Sequence, residues 1–260
     1  MRKYPVTTTL LSLILLVSAS FAGDSDKGQQ TLKSSLPRAN YHGQMQLSED
    51  FFDFGYMPGD SKVSHIFWLK NVGTDTLEIK RIQPGCGCTK APLRKRLIAV
   101  NDSAKIEIIF SSGRFRGEVS KTPRIFTSDQ RVKDKGLRFK AYVIHDDDSI
   151  AQHPLEIEPF GINAVIGQEK EEYPVFVKNV SDQTLEISLV SSDPEVMDVA
   201  LPDKVKPGDK ARISLKLKNL EDYQIPGFGK SFTIQLSDDE NTRYTIPVLY
   251  EKAKDASRGD

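Results

Sequence analysis

Two cysteines, one tryptophan and four methionines among 260 residues exclude several kinds of protein at once. Two thiols cannot build a disulfide-dense scaffold, and by themselves they are too few for a closed zinc site, which needs four ligands, with His65 able to contribute only if the fold brings it close. Net charge is lacking too. Lys and Arg number 36, as do Asp and Glu, so there is no electrostatic case for nucleic acid or an anionic membrane surface. No run approaches the ~20 apolar residues of a membrane-spanning helix. No segment keeps a helical period. No P-loop, nucleophile elbow, zincin helix or dinucleotide fingerprint occurs, and acidic residues are too numerous for any pair to stand out as a general acid. The sequence predicts no enzyme, no catalytic residue and no cofactor.

What remains is a soluble globular balance, 38% hydrophobic and 28% charged. The N-terminus reads as a secretory signal: Arg2 and Lys3, then the apolar run Leu10 to Val17 broken only by Ser12, then Ser18-Ala19-Ser20-Phe21-Ala22. Cleavage is expected after Ala22. The run is too short to stay as an anchor, and no Cys near the cleavage site would take a lipid. The expected location is the periplasm or the extracellular space, with no transmembrane anchor in the mature chain.

An internal repeat organises the rest. Phe67-Trp68-Leu69-Lys70-Asn71-Val72-Gly73-Thr74-Asp75-Thr76-Leu77-Glu78-Ile79 recurs, 108 positions on, as Val175 to Ile187, with Asn179 matching Asn71. Phe54-Gly55 is echoed by Phe160-Gly161. A unit of this length is a whole domain. Within each unit the period is two. His65, Phe67 and Leu69 share one face, and Tyr173, Val175 and Val177 repeat it. Leu77 and Ile79 alternate with charged residues. Ile106, Ile108 and Phe110 alternate with Glu107, and Leu137, Phe139, Ala141 and Val143 with Arg138, Lys140 and Tyr142. Such segments are half-buried strands of antiparallel sheets, and Pro58-Gly59-Asp60 and Pro207-Gly208-Asp209 punctuate them.

The predicted architecture is all-β: two tandem Ig-like β-sandwich domains. The expected plan is a signal peptide at 1–22, a flexible lead-in at 23–44, one domain at 45–146, a diverged copy at 147–251 and a flexible tail at 252–260. The sandwiches are expected to pack separately, joined near Asp146 to Ser149.

Phe52-Asp53-Phe54-Gly55, Asn71-Val72-Gly73 and Cys86-Gly87-Cys88-Thr89 occur in that order. In this they resemble the bacterial secreted Ig-like domain of unknown function numbered fifteen seventy-three. Its members look like F-x-F-G, an apolar strand ending in N-x-G, then C-G-C-T. The resemblance spans about residues 50–145. It implies a fold similar to Hydin-like and major-sperm-protein-like domains and an envelope location, but no activity.

Cys86 and Cys88 are the chemically unusual spot. In an oxidising compartment one intervening Gly lets them reach disulfide range. Three readings stay open: a local disulfide, packed inert thiols, or a soft-metal or redox pair. His65 is read as a core or rim histidine. His42, His145 and His153 form no ligand-spaced cluster. Asp146-Asp147-Asp148 reads as a solvated hinge, with a calcium site as the sharper alternative. Asn101-Asp102-Ser103 and Asn179-Val180-Ser181 fit the N-glycosylation pattern. Asp75-Thr76-Leu77, Asp102-Ser103-Ala104 and Asp148-Ser149-Ile150 resemble bacterial O-glycosylation sites. Arg258-Gly259-Asp260 is best explained by chance.

The function predicted is a non-catalytic cell-envelope or secreted protein-binding or structural module whose partners are other envelope or extracellular proteins. The alternatives are a periplasmic chaperone-like protein that binds subunits by strand addition, with Leu137 to Val143 as the donor strand, and a thiol or copper protein using Cys86 and Cys88.

Overall fold

The structure is a computed structural model. It describes residues 42–145, 153–166, 170–218 and 229–252. The signal segment, the Asp146–Asp148 run, the Asp148-Ser149-Ile150 pattern and the Arg258–Asp260 tripeptide lie outside these residues. Among the described residues every regular element is a strand, and no helix is long and apolar enough to cross a membrane.

The protein consists of two tandem Ig-like β-sandwich domains. The first uses β1 (Met45–Leu47), β2 (Phe51–Pro58), β3 (Lys62–Asn71), β4 (Leu77–Gln83), β5 (Thr89–Lys90), β6 (Leu97–Ile98), β7 (Ser103–Ser111), β8 (Gly117–Lys121), β9 (Arg124–Thr127), β10 (Asp134–Gly136) and β11 (Arg138–Ile144). The second uses β12 (Leu155–Glu158), β13 (Ile162–Ile166), β14 (Tyr173–Asn179), β15 (Leu185–Ser191), β16 (Met197–Ala200), β17 (Lys204–Val205), β18 (Lys210–Leu217), β19 (Gly229–Leu236) and β20 (Arg243–Lys252). One sheet of the first sandwich runs β1-β3-β7-β5, and a second runs β10-β9-β4-β6. The second sandwich sets β12-β14-β18-β16 against a sheet that contains β15, β19 and β20.

The period of two is kept wherever a strand has one dry face. Phe67, Leu69, Leu77, Ile79, Ile106, Ile108, Phe110, Phe139 and Val143 are buried in the first core. Tyr173, Val175 and Val177 are buried in the second. The repeat holds down to single hydrogen bonds. Asn71 Nδ2 donates to Asp75 O (2.8 Å) and Ile98 O (2.9 Å), and its Oδ1 accepts from Gly73 N. Asn179 Nδ2 donates to Gln183 O (2.8 Å) and Val205 O (2.9 Å), and its Oδ1 accepts from Ser181 N. A wholly buried amide with all its capacity used is costly to lose. That burial also corrects the glycosylation reading of Asn179, whose nitrogen has no access to a sugar.

The sandwiches do not pack as separate bodies. An eight-stranded sheet carries the path β17-β15-β19-β20-β2-β11-β8 through both, with β13 also on β20. β13 pairs with β20 from Val248 to Lys252, while β2 meets the same strand at Tyr244 through Tyr56. β2 of the first sandwich and β13 of the second thus share one edge of β20. Gly55 makes the approach feasible. Its φ is +62, and a Cβ there would lie 2.2 Å from Arg243 O, so no side chain fits.

β19 is buried on both faces. Phe232 and Ile234 enter the second core, while Ser231 Oγ donates to Ser64 O (3.0 Å) and accepts from Ser64 N (2.9 Å) on β3. Glu107, expected to face solvent, is buried by this contact, and Ile109 of β7 joins the second core. The expected lead-in is also held at its end. Val72 N donates to Gln44 O (2.9 Å) and Thr74 N to His42 O (3.2 Å).

Candidate functional site

The outer face of β3 and β7 is the floor of a cleft between the sandwiches, with a cavity of about 260 Å³. Its lower half is ionic. Lys230, only 3% exposed, donates to Glu107 Oε1 (2.5 Å) and Asp193 Oδ2 (3.0 Å). Lys105 lies 3.6 Å from Asp193 Oδ1 and 2.6 Å from Glu195 Oε2. Charges this dry persist only when paired. The upper half is aromatic and basic. Trp68 is 45% exposed, with Lys105 Nζ 5.5 Å from its ring centroid, and Arg94, Lys95 and Pro92 complete the wall. Sequence reading gave Trp68 no role beyond the repeat. The signal was its counterpart Phe176, an outward aromatic 37% exposed under Lys210 (4.8 Å).

His65 ties the same junction together. It is buried, stacked on Phe52 at 3.5 Å, and its Nδ1 and Nε2 lie 2.9 Å from Ser191 Oγ and 2.8 Å from Glu49 Oε1. Both ring nitrogens are thus engaged away from the cysteines. Below it, Thr245 Oγ1 donates to Phe54 O (2.6 Å). His153, expected beside a polar linker, instead packs edge-on against Tyr56 (4.2 Å), and neither ring nitrogen has a hydrogen-bond partner among the described residues. Burial pushes its pKa down. Burial likewise pushes the Tyr56 and Tyr244 hydroxyls up, although Tyr244 also accepts the Leu155 N–H (3.3 Å). Among the other histidines, His42 is exposed and His145 Nε2 lies 3.0 Å from Phe115 O.

Asp129 closes the first sandwich. Burial alone would raise its pKa, but its carboxylate accepts the Met45, Arg131 and Val132 N–H groups, which together hold it below the usual value.

Cys86 and Cys88 sit in the turn between β4 and β5. They are joined as a disulfide, S–S 2.00 Å and Cα–Cα 5.2 Å. Among the described residues no three His, Cys, Asp or Glu side chains gather as a metal-binding group. Asn101 is exposed, in a left-handed conformation (φ 64). Asp75-Thr76-Leu77 and Asp102-Ser103-Ala104 lie where β4 and β7 begin.

The family match lies on the first sandwich. Residues 45–143 match the family described as protein of unknown function (DUF1573). The match carries a fold and no activity. No curated protein matches the chain. Solved structures similar to it include a protein of unknown function from Porphyromonas gingivalis W83, at 10% identity and TM-score 0.34, covering 80% of this chain and 99% of that one. A PapD-like domain of human CEP192 has 11% identity and TM-score 0.31, covering 48% and 99%. The CupB2 chaperone of Pseudomonas aeruginosa has 11% identity and TM-score 0.28, covering 78% and 98%. Likenesses at this level carry no functional argument.

Proposed function

We propose that this chain is an exported, non-catalytic protein-binding module of the cell envelope or its surroundings, and that its contact surface is the cleft around Trp68. The domains are taken as residues 45–146 and 147–251, preceded by a signal peptide at 1–22. The observation that carries the reading is a half-exposed tryptophan fixed on the β3–β7 ladder at the rim of the cleft between the sandwiches. Aromatic and arginine side chains fixed on rigid elements are the residues on which binding energy concentrates. Trp68 stands over the β3–β7 ladder, Arg94 is beside it, and the buried Lys230 cluster keeps the opposite wall in place. The partner class is another envelope or extracellular protein.

Trp68 is the only tryptophan, so its emission reports on this cleft alone. Envelope proteins retained by the immobilised mature chain should shift that emission to the blue when added back, and W68A should retain them at least ~10-fold less well, as expected for losing a contact of 1.4 kcal/mol or more. Equal retention by W68A, with no emission change, sinks the proposal. Strand addition is the second reading, and one observation redirects it. β11 is paired on both sides, to β2 and β8, so the Leu137 to Val143 segment offers no open edge, whereas β8 ends the eight-stranded path. Loss of partners in S120P but not in W68A would favour that edge.

A further inference from the structure

The turn between β4 and β5 carries Cys86 and Cys88. We propose that its disulfide is an exchange site that accepts electrons from the thiols of a dithiol partner. The proposal does not depend on the cleft around Trp68.

Four observations support it. Both cysteines are half-buried, within reach of solvent rather than sealed in the core. The bond closes a ring over one intervening residue, so it constrains the unfolded chain little and is a poor staple. The turn is open: Gly85, at φ +88, and Gly87 have nothing within 4 Å of where a Cβ would stand, which leaves room for an incoming chain. Finally, a buried hydroxyl faces both sulfurs. Thr89 Oγ1, in a residue 3% exposed, lies 3.4 Å from Cys86 Sγ and 3.8 Å from Cys88 Sγ. A donor at that position stabilises a leaving thiolate, and a better leaving thiolate speeds exchange.

The two sulfurs are not equivalent. Cys88 is the anchored one: its carbonyl accepts Ser111 N–H (2.8 Å) and its side chain packs against the first core. Cys86 stands outside that packing among the described residues, and its carbonyl accepts the Thr89 N–H within the turn (3.3 Å). A partner thiolate attacks Cys86 Sγ. The Cys86–Cys88 bond breaks, its electron pair leaves on Cys88 Sγ, and a mixed disulfide forms. The partner's second thiolate then attacks the partner's own sulfur in that mixed disulfide and expels Cys86 as a thiolate. Two electrons have passed from the partner, now a disulfide, to the cysteine pair, and the two thiol protons end on Cys86 and Cys88 through solvent. A low-molecular-weight disulfide such as glutathione disulfide reverses the sequence and restores the bond.

The test uses the full mature chain in glutathione redox buffers without denaturant, with alkylation and mass measurement of Cys86 and Cys88. Both cysteines should become reduced while the far-ultraviolet spectrum is unchanged. In single variants, glutathione disulfide should label Cys86 in C88S at least ~10-fold faster than Cys88 in C86S, because access and thiolate character set the rate. T89V should slow exchange and move its pH profile upward, and T89S should restore both. A reduced, unfolded dithiol peptide and reduced glutathione serve as parallel reductants; the faster one tells whether polypeptide or small-molecule thiols are the natural source. C86S/C88S, which should stay folded, is the blank. A disulfide that resists both reductants until the chain is unfolded overturns the proposal. So does equal labelling of the two single variants.

Discussion

Replacing Lys230 by methionine is the most demanding test of how the two sandwiches are held. The methionine fills nearly the same volume but removes the charge. It leaves Glu107 and Asp193, whose side chains are 9% and 6% exposed, facing each other across a site that Lys230 bridges at 2.5 and 3.0 Å. Lys105 compensates in part, but from 3.6 Å and with its own commitment to Glu195. Breaking a buried pair from one side costs about 3–5 kcal/mol, because the remaining charge stays desolvated. In a protein of this size each kcal/mol lowers Tm by ~2–4 °C, so the drop should be roughly 6–20 °C. The network joins β7 of the first sandwich to β19 and the β15–β16 loop of the second, so the variant should also melt in two steps where the parent melts in one. Calorimetry with urea titration reads both effects. The triple variant E107Q/D193N/K230M should recover much of the loss, since no buried charge is left unpaired. A K230M protein that melts in one step within about 1 kcal/mol of the parent would refute the idea that this cluster couples the domains.

Phe67→Ala should cost ~3–5 kcal/mol in urea melts, while K70A, on the exposed face of the same strand, should change stability by less than about 0.5 kcal/mol; the reverse order would mean the register is wrong. N179A should cost roughly 2–3 kcal/mol, since the carbonyls of Gln183 and Val205 lose their donor in a buried site, and a neutral effect would remove the structural basis of the repeat. His153 predicts a slope on the acid side. Its folded pKa lies below the unfolded value of 6.5, so above pH 6.5 both states are neutral and the group costs nothing. As the pH falls below 6.5 the unfolded chain takes up the proton first and stability declines, until the folded histidine titrates too. H153F should flatten the urea midpoint between pH 7 and pH 5, and an unchanged slope would show that another group is responsible.

The strands were readable because each has at least one face that must be dry, and alternation records that requirement in every second residue. The repeat was readable because Asn71 and Asn179 solve one turn in the same way. The junction was hidden for a physical reason. Ser64, Glu107, Asp193, Lys230 and Ser231 are polar, so each reads as solvated, yet all are buried, Ser64 against Ser231 and Glu107 against Lys230 of the other sandwich. Ser64 and Ser231 are 167 residues apart, and Lys230 and Glu107 are 123 apart. Local periodicity carries no information about such pairings. Gly55 was quoted as a motif letter, but its need for empty space arises from Arg243, which nothing near Gly55 in the sequence announces. The cysteine turn was legible as chemistry, because one glycine between two thiols fixes their reach. The hydroxyl of Thr89 beside them needed the fold.

The sharing of β20 by β2 and β13 has a consequence in time. A ribosome or an export channel delivers the chain from its N-terminus, and Phe54 waits 191 residues for Thr245 to reach its carbonyl. Until β19 and β20 emerge, the first sandwich can fill its own core, but one flank carries Glu107 and Ser64 without the neighbours that satisfy them. The nascent half is therefore sticky in a polar way, with open backbone along β2 and an unmatched carboxylate on β7. It is completed only when β20 has been made.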